Sequence, residues 1–451
     1  MSARYLYHPA AHDGAQPVRS YWEAITGPLR RETPPLSGAA QCDVAVIGAG
    51  YTGLAAAEAL AGTHGMDVRV LEAGTPGWGA SGRNGGFCCL GGSSFSTEDL
   101  IRRFGKDAAS RFYQVQLEAI DQARAFLKAR DCVDGFAPSG EMVLAHKPNR
   151  MAELRHEAEL IKDLLGLETP LYSREELVDM GFAGPGFYGG ALEPYGFPLN
   201  PLAYARMRAE AAIDAGARVH SFSAVRDWKM DGGRHLLSCD TGTVSARYVL
   251  VATNGYSSEA LPEWMYGRTL PVMSNILVTR PLTASEWAAQ GWTTDRMSFD
   301  TRIILHYFRR LPDGRFLFGG RGALDASPEA RPGLEAGLRR RFEKLFPAWK
   351  AVETEYCWQG FICLARNFVP FAGPIPGVEG AFAALAYHGN GVAFSGWAGQ
   401  AIADRIAGKD GAEDAVPEIM RTPLKRFETP NLRLLGLRLA LARYDFIDRF
   451  L

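Results

Sequence analysis

At 451 residues the chain is too long for a single hydrophobic core, and two domains are expected. Its 49 basic and 50 acidic side chains nearly cancel, leaving a net charge of −1 that argues against a nucleic-acid partner. Seven scattered cysteines without metal-ligand spacing predict no metal site and a reduced, cytoplasmic setting, and no apolar run reaches the roughly 18 residues that a membrane span needs.

Residues 1–40 are rich in Pro, Gly and Ser and read as an extended arm with one short helix near 21–25. An apolar run at 44–47 then reads as a buried strand. It leads through Gly48-Ala49-Gly50-Tyr51-Thr52-Gly53 into an Ala-rich helix, and a second apolar run at 68–71 ends on Glu72 and Ala73. The segment 76–94 is too glycine-rich for regular structure and suits a backbone passing close to a flat ligand. Helices are expected over 98–129 and 151–165, with a strand at 140–145 between them. A further helix over 202–215 stops at Gly216. A strand and a meander follow, at 217–222, 224–230, 235–239 and 244–252. From Pro271 the runs 275–280, 303–309 and 315–319 suggest an antiparallel sheet. A helix over 334–345, a buried strand at 381–386, a glycine turn at 387–391 and a helix over 393–406 complete the main body. The last segment, 432–451, is amphipathic and carries Arg433, Arg438, Arg443 and Arg449. Asp445 and Asp448 dilute its basic face, so it is expected to dock on its own protein or on a second subunit rather than on a membrane.

Strand, glycine turn, helix, strand and acid in that order form a dinucleotide-binding unit. Gly48 permits the tight turn, Gly50 lets the backbone approach a pyrophosphate, and Gly53 allows the helix to pack closely on the strand. Glu72 stands near the ~20-residue spacing expected for a carboxylate on a ribose hydroxyl. An acid at this point favours FAD or NAD over NADP.

The opening unit, the stretch Gly-Ala-Ser-Gly-Arg-Asn-Gly-Gly at 79–86, the meander ending at Gly255 and the turn at 387–391 before the last helix resemble the FAD-dependent D-amino-acid-oxidase/glycine-oxidase superfamily. Ser20-Tyr21-Trp22, Asn200-Pro201 and Trp358-Gln359-Gly360 look most like its γ-glutamylputrescine oxidase branch. The resemblance implies an α/β fold: a glutathione-reductase-type FAD-binding domain with an inserted antiparallel-sheet substrate domain. The FAD-binding domain would comprise 41–135, 196–265 and 360–412, and the substrate domain 136–195 and 266–359, between an arm at 1–40 and a tail at 413–451. It further implies that Gly48, Gly50, Gly53 and Glu72 hold the ADP half of FAD, and that Val225 meets the adenine. Ser81, Gly82, Arg83, Asn84, Gly85 and Gly86 would lie along the flavin, with Gly389, Asn390, Gly391 and Val392 covering its pyrimidine end. Tyr51, Thr52, Ala73, Gly79, Ala80 and Ala252 join this cofactor-contacting set.

The implied reaction removes hydride from the carbon next to an amine nitrogen onto the flavin, giving an imine that water hydrolyses, with O₂ as the acceptor and H₂O₂ as the product. Amino-acid oxidases of this superfamily often carry a carboxylate-gripping arginine where this chain has Ile362, which weakens an α-amino-acid substrate and favours an amine, or a molecule whose carboxylate lies further out, where Arg366 could bind it. Candidates on the substrate side are Arg366, His306, Tyr307 and Trp358. His306 and Tyr307 must point to opposite faces of their strand. Cys88 and Cys89, beside the flavin segment, read as inert buried thiols. An amino-acid oxidase, a quinone- or carrier-linked dehydrogenase, and an FAD-bearing accessory subunit without turnover are the competing readings.

Overall fold

The computed structural model describes residues 4–132 and 138–450; the expected domain border at 135–136 lies outside the described residues. Two eight-stranded sheets form the frame. The first is built from runs that are apolar on both faces, as a covered parallel sheet requires. Gly38–Ile47 lies at its centre, parallel to Gly242–Val251 on one side and to Val68–Leu71 on the other. Arg218–His220 extends one edge, and Ala381–Leu385 and Phe371–Pro374 extend the other. A hairpin of Asp227–Asp231 and Arg234–Ser238 attaches to Gly242–Val251. Helices Tyr51–Glu58 and Gly391–Ile406 cover this sheet and touch each other through small residues. A Cβ on Gly399 would stand 2.2 Å from the carbonyl oxygen of Thr52.

The second sheet runs in the order Thr354–Ala365, Thr269–Thr279, Phe316–Ala323, His306–Arg310, Met297–Asp300, Glu141–Leu144, Gly189–Glu193, Leu171–Ser173. It departs from the expected antiparallel sheet at one place, where Met297–Asp300 pairs parallel with Glu141–Leu144. One face packs on an aromatic core containing Trp292, Trp349, Phe308, Phe316, Phe318 and Phe342, capped by helix Arg331–Leu345. The other face looks toward the first sheet. Thr354–Ala365 pairs with Thr269–Thr279 along its length, so a domain border at 360 falls inside one continuous strand.

Local chemistry explains two further departures from expectation. The helix expected over 98–129 is two helices, Thr97–Phe104 and Lys106–Lys128, because Gly105 adopts φ 87° between them. The glycine-rich segment at 76–94 does form regular structure, the short helix Ala80–Arg83 and the strand Phe87–Cys88. Its backbone is fastened by side chains: Trp358 Nε1 donates to Arg83 O at 2.8 Å and Trp22 Nε1 to Asn84 O at 2.9 Å.

The C-terminal helix Arg433–Phe450 docks on its own chain. Leu437 packs on Leu270 and Val272, Arg433 forms a buried ion pair with Glu259, and Asp448 accepts from the amides of Ile303 and Ile304. Among the described residues no helix is long and apolar enough to cross a membrane.

Gly399→Ala should lower stability by about 2 kcal/mol, because the new methyl group meets backbone on a packed helix rather than a movable side chain. Chemical denaturation checks this, and an unchanged midpoint would show that the two helices can separate freely.

Candidate functional site

A cavity of about 560 Å³ lies between the two sheets and runs from Glu72 and Val225 past the first glycine turn to Gly389–Val392 and on to the second sheet. Of the residues expected to contact the cofactor, Gly48, Gly50, Tyr51, Thr52, Glu72, Ala73, Gly79, Ala80, Ser81, Arg83, Asn84, Gly85, Val225, Ala252, Gly389, Asn390, Gly391 and Val392 line it. Gly53 and Gly86 do not. A Cβ on Gly53 would stand 2.0 Å from Gly48 O, so this glycine acts by letting helix and strand touch. Gly82 is likewise occupied in packing, its Cβ position 2.3 Å from Gly77 O.

Glu72 is the hub at one end. Its carboxylate accepts from Ala49 N at 2.7 Å and from Gly74 N at 2.8 Å, tying the loops after both strands to one side chain that is 8 % exposed. Burial raises its pKa, and the amide hydrogen bonds oppose that rise. Tyr51 fixes the next segment. Its hydroxyl reaches Ser81 O at 2.6 Å and Pro201 O at 2.8 Å, and its amide donates to Ser81 Oγ at 3.0 Å. Asn84 bridges back to Ala80 O and Ser81 O, and its Oδ1 accepts from Gly86 N. Arg83 has its guanidinium engaged by Trp78 O and Gln359 O and stacks over the Trp78 ring at 4.1 Å. The N-termini of helices Tyr51–Glu58 and Gly391–Ile406 both open on the cavity, bringing their free amides and positive dipole ends to it.

The second sheet supplies the opposite wall, through Ser274, Ile276, Tyr307, Arg321, Phe299, Glu141, Val143, Ala191 and Glu193. The Tyr307 hydroxyl lies 3.0 Å from Ser274 Oγ, and burial pushes its pKa up to about 12. It is therefore a neutral phenol at ordinary pH. Arg321 approaches Gly389 so closely that a Cβ there would stand 2.5 Å from its Nη2. Its side chain has one long hydrogen bond, to His388 O at 3.5 Å, and no ion pair with a described residue. Burial lowers its pKa.

Three of the four expected substrate-side residues stand elsewhere. Arg366 lies outside the cavity wall, where its guanidinium meets the Glu428 carboxylate at 2.7 and 3.0 Å on the surface. His306 is on the reverse face of its strand. Its Nδ1 pairs with buried Asp300 at 2.8 Å and its ring stacks on Phe318 in the aromatic core, leaving only its neighbour Tyr307 in the cavity. Trp358 is 2 % exposed and holds the Arg83 carbonyl from behind, also away from the cavity. Cys88 and Cys89 are buried, with thiol pKa values pushed up by that burial, so neither is a ready nucleophile.

Sequence reasoning missed Arg321, Ser274 and the carboxylates Glu141, Glu157 and Glu193. They come together only through the register of the second sheet and the placement of helix Arg150–Leu165. The arm does more than precede the first strand: Tyr5 and His12 reach the cavity wall. Neither His12 ring nitrogen has a hydrogen-bond partner among the described residues, and burial pushes its pKa down to about 4.

The sequence model of the DAO family, FAD dependent oxidoreductase, matches residues 43–405, and the chain belongs to that family. It is therefore an FAD-dependent oxidoreductase, and the two helix N-termini and glycine-walled cavity fit such a cofactor. Among curated relatives it is 31 % identical to the probable oxidoreductase OrdL of Haemophilus influenzae, over 92 % of this chain and 94 % of the relative. It is 30 % identical to the γ-glutamylputrescine oxidoreductase of Escherichia coli K12, over 90 % and 93 %. The solved glycine oxidase of Geobacillus kaustophilus shares the fold with a TM-score of 0.69 at 22 % identity, covering 86 % of this chain and all of that one.

Because Arg366 is a surface pair rather than a ligand for substrate, Arg366→Ala should leave flavin content unchanged and move the thermal midpoint by no more than about 2 °C. Loss of turnover in that variant would return Arg366 to the site.

Proposed function

We propose that this protein is an FAD-dependent amine oxidase, removing hydride from the C–N carbon of a primary or secondary amine of the γ-glutamylputrescine type. The observation that carries the reading is the composition of the cavity wall opposite the glycine segments. Where amino-acid oxidases often carry a carboxylate-binding arginine, the strand presents Ile362, and beyond Arg321, which sits beside Gly389, the wall continues into apolar and acidic side chains suited to an amine. The 30 % identity to a γ-glutamylputrescine oxidoreductase supports the same substrate type.

In this reading Glu72, Val225 and the turn at 48–53 hold the ADP half of FAD. The backbone of Ser81–Gly86 and the helix start at Gly389–Val392 flank the flavin, where the dipole favours negative charge on the ring. When bound, FAD supplies the hydride acceptor and the route of electrons to O₂. The chain's own groups orient the amine and shield it from water. Ile276 and Phe299 close the wall around the reacting carbon, and Tyr307, held by Ser274, offers a neutral hydroxyl that can accept from or donate to the amine nitrogen. Arg321 places a fixed positive charge beside Gly389, where it stabilises negative charge that develops during oxidation. The net reaction consumes amine, O₂ and water and yields aldehyde, ammonia or a smaller amine, and H₂O₂.

Anaerobic addition of γ-glutamylputrescine or a simple diamine should bleach the flavin absorbance near 450 nm, an approximate figure for flavins in general, and readmitted O₂ should restore it with one peroxide per turnover. Bleaching by α-amino acids but by no amine would sink the proposal. Rapid dye reduction without peroxide would replace O₂ with another acceptor.

A further inference from the structure

Beyond the stretch assigned to the flavin, the cavity continues between the second sheet and helix Arg150–Leu165 and ends among carboxylates. Glu141 and Glu193 face each other across paired strands, as direct register partners. Glu157 joins them from the helix, where it shares the cavity-facing stripe with Leu154, Ala158 and Ile161.

Glu141 is 3 % exposed, and its carboxylate receives no N–H or O–H donor from a described residue, only the neighbouring Cys89 thiol. Neither it nor Glu193 pairs with a described lysine, arginine or histidine. Glu157 accepts from Thr97 Oγ1. The Tyr195 hydroxyl oxygen, on the same stretch of wall, is buried and has no hydrogen-bond partner among the described residues. Glu193 and Glu157 are half-buried, and a buried carboxylate such as Glu141 facing another acid without a cation is unfavourable. Burial accordingly raises the pKa of Glu141 well above the ordinary range and that of Glu193 to about 7. A second, separate feature points to what would relieve them. Between Tyr307 and Glu141 the wall is apolar, made by Phe299, Val143 and Leu305. Two strand spacings separate the strands of Tyr307 and Glu141, a distance of about 10 Å.

We propose that Glu141 and Glu193, with Glu157 behind them, form a cation subsite that binds the distal ammonium of a diamine or polyamine-type substrate while its other amine lies at Tyr307. This rests on the reading of the site as an amine oxidase and narrows its substrate to amines with a second positive group beyond an aliphatic spacer. Glu141 and Glu193 are then specificity-determining residues, and the apolar stretch measures the spacer.

The test compares 1,6-diaminohexane with hexylamine, using the FAD-loaded full chain, in wild type and in Glu141→Gln and Glu193→Gln. Wild type should show a KM for the diamine on the order of tenfold below that for the monoamine, and in each variant the ratio should fall toward one. Equal KM values in wild type, or variants that keep the wild-type ratio, would overturn the subsite. Glutamine conserves volume and resembles the protonated carboxyl that the raised pKa values favour in the empty site, so thermal midpoint and flavin content should hold. If a variant does not fold, the wild-type ratio decides. If neither amine bleaches the flavin, the amine-oxidase reading fails by itself. The subsite is then decided by calorimetric titration of the same two amines, where preferential binding of the diamine supports it and equal or absent binding overturns it.

Discussion

One buried carboxylate organises the cofactor end of the molecule. Glu72 accepts from the amides of Ala49 and Gly74, so the loops leaving two adjacent parallel strands are fixed by a single side chain. That arrangement sets the rim of the cavity, and Gly53 completes it by letting the helix start touch the Gly48 carbonyl. Everything downstream is hung from this rim. Tyr51 ties it to Ser81, and the two indoles of Trp22 and Trp358 hold the following carbonyls. The segment at 79–86 is thus a braced wall despite a composition that would suit a loose loop.

The second sheet divides its labour by face. Alternation sends His306, Phe308, Phe316 and Phe318 into an aromatic core, and sends Tyr307 and Arg321 into the cavity. The aromatic face makes the sheet a stiff platform. The cavity face is free to carry polar groups whose positions are set by strand register rather than by a loop. A wall of this kind can change its substrate by single substitutions at alternate positions while the fold is retained, which is consistent with family relatives that share the fold at low identity.

The parts legible in the sequence were those written in contiguous residues. The strand–glycine–helix–strand–acid order announced the dinucleotide unit, and the glycine turn before the last long helix announced its second edge. The chemistry facing the substrate was not legible in the same way. Arg321 sits on a strand that sequence alone could place only roughly, and its proximity to Gly389 depends on packing between segments far apart in the chain. Glu141, Glu157 and Glu193 lie far apart in the sequence, on two strands and a helix. Only the pairing of Glu141 with Glu193 and the inward turn of helix Arg150–Leu165 shows them as one group. Arg366 misled for the converse reason, since its partner Glu428 lies in the tail and could not be inferred from spacing.

The central claim is that one cavity receives FAD along its glycine wall and an amine along its sheet wall. A crystal structure of the protein grown with FAD and a non-oxidisable bis-quaternary diamine tests it most directly. The account predicts the flavin ring between Ser81–Gly86 and Gly389–Val392, with the diamine along Phe299 and its far cation against Glu141 and Glu193. A flavin ring bound elsewhere, or a diamine lying with both cations away from these carboxylates, would contradict it.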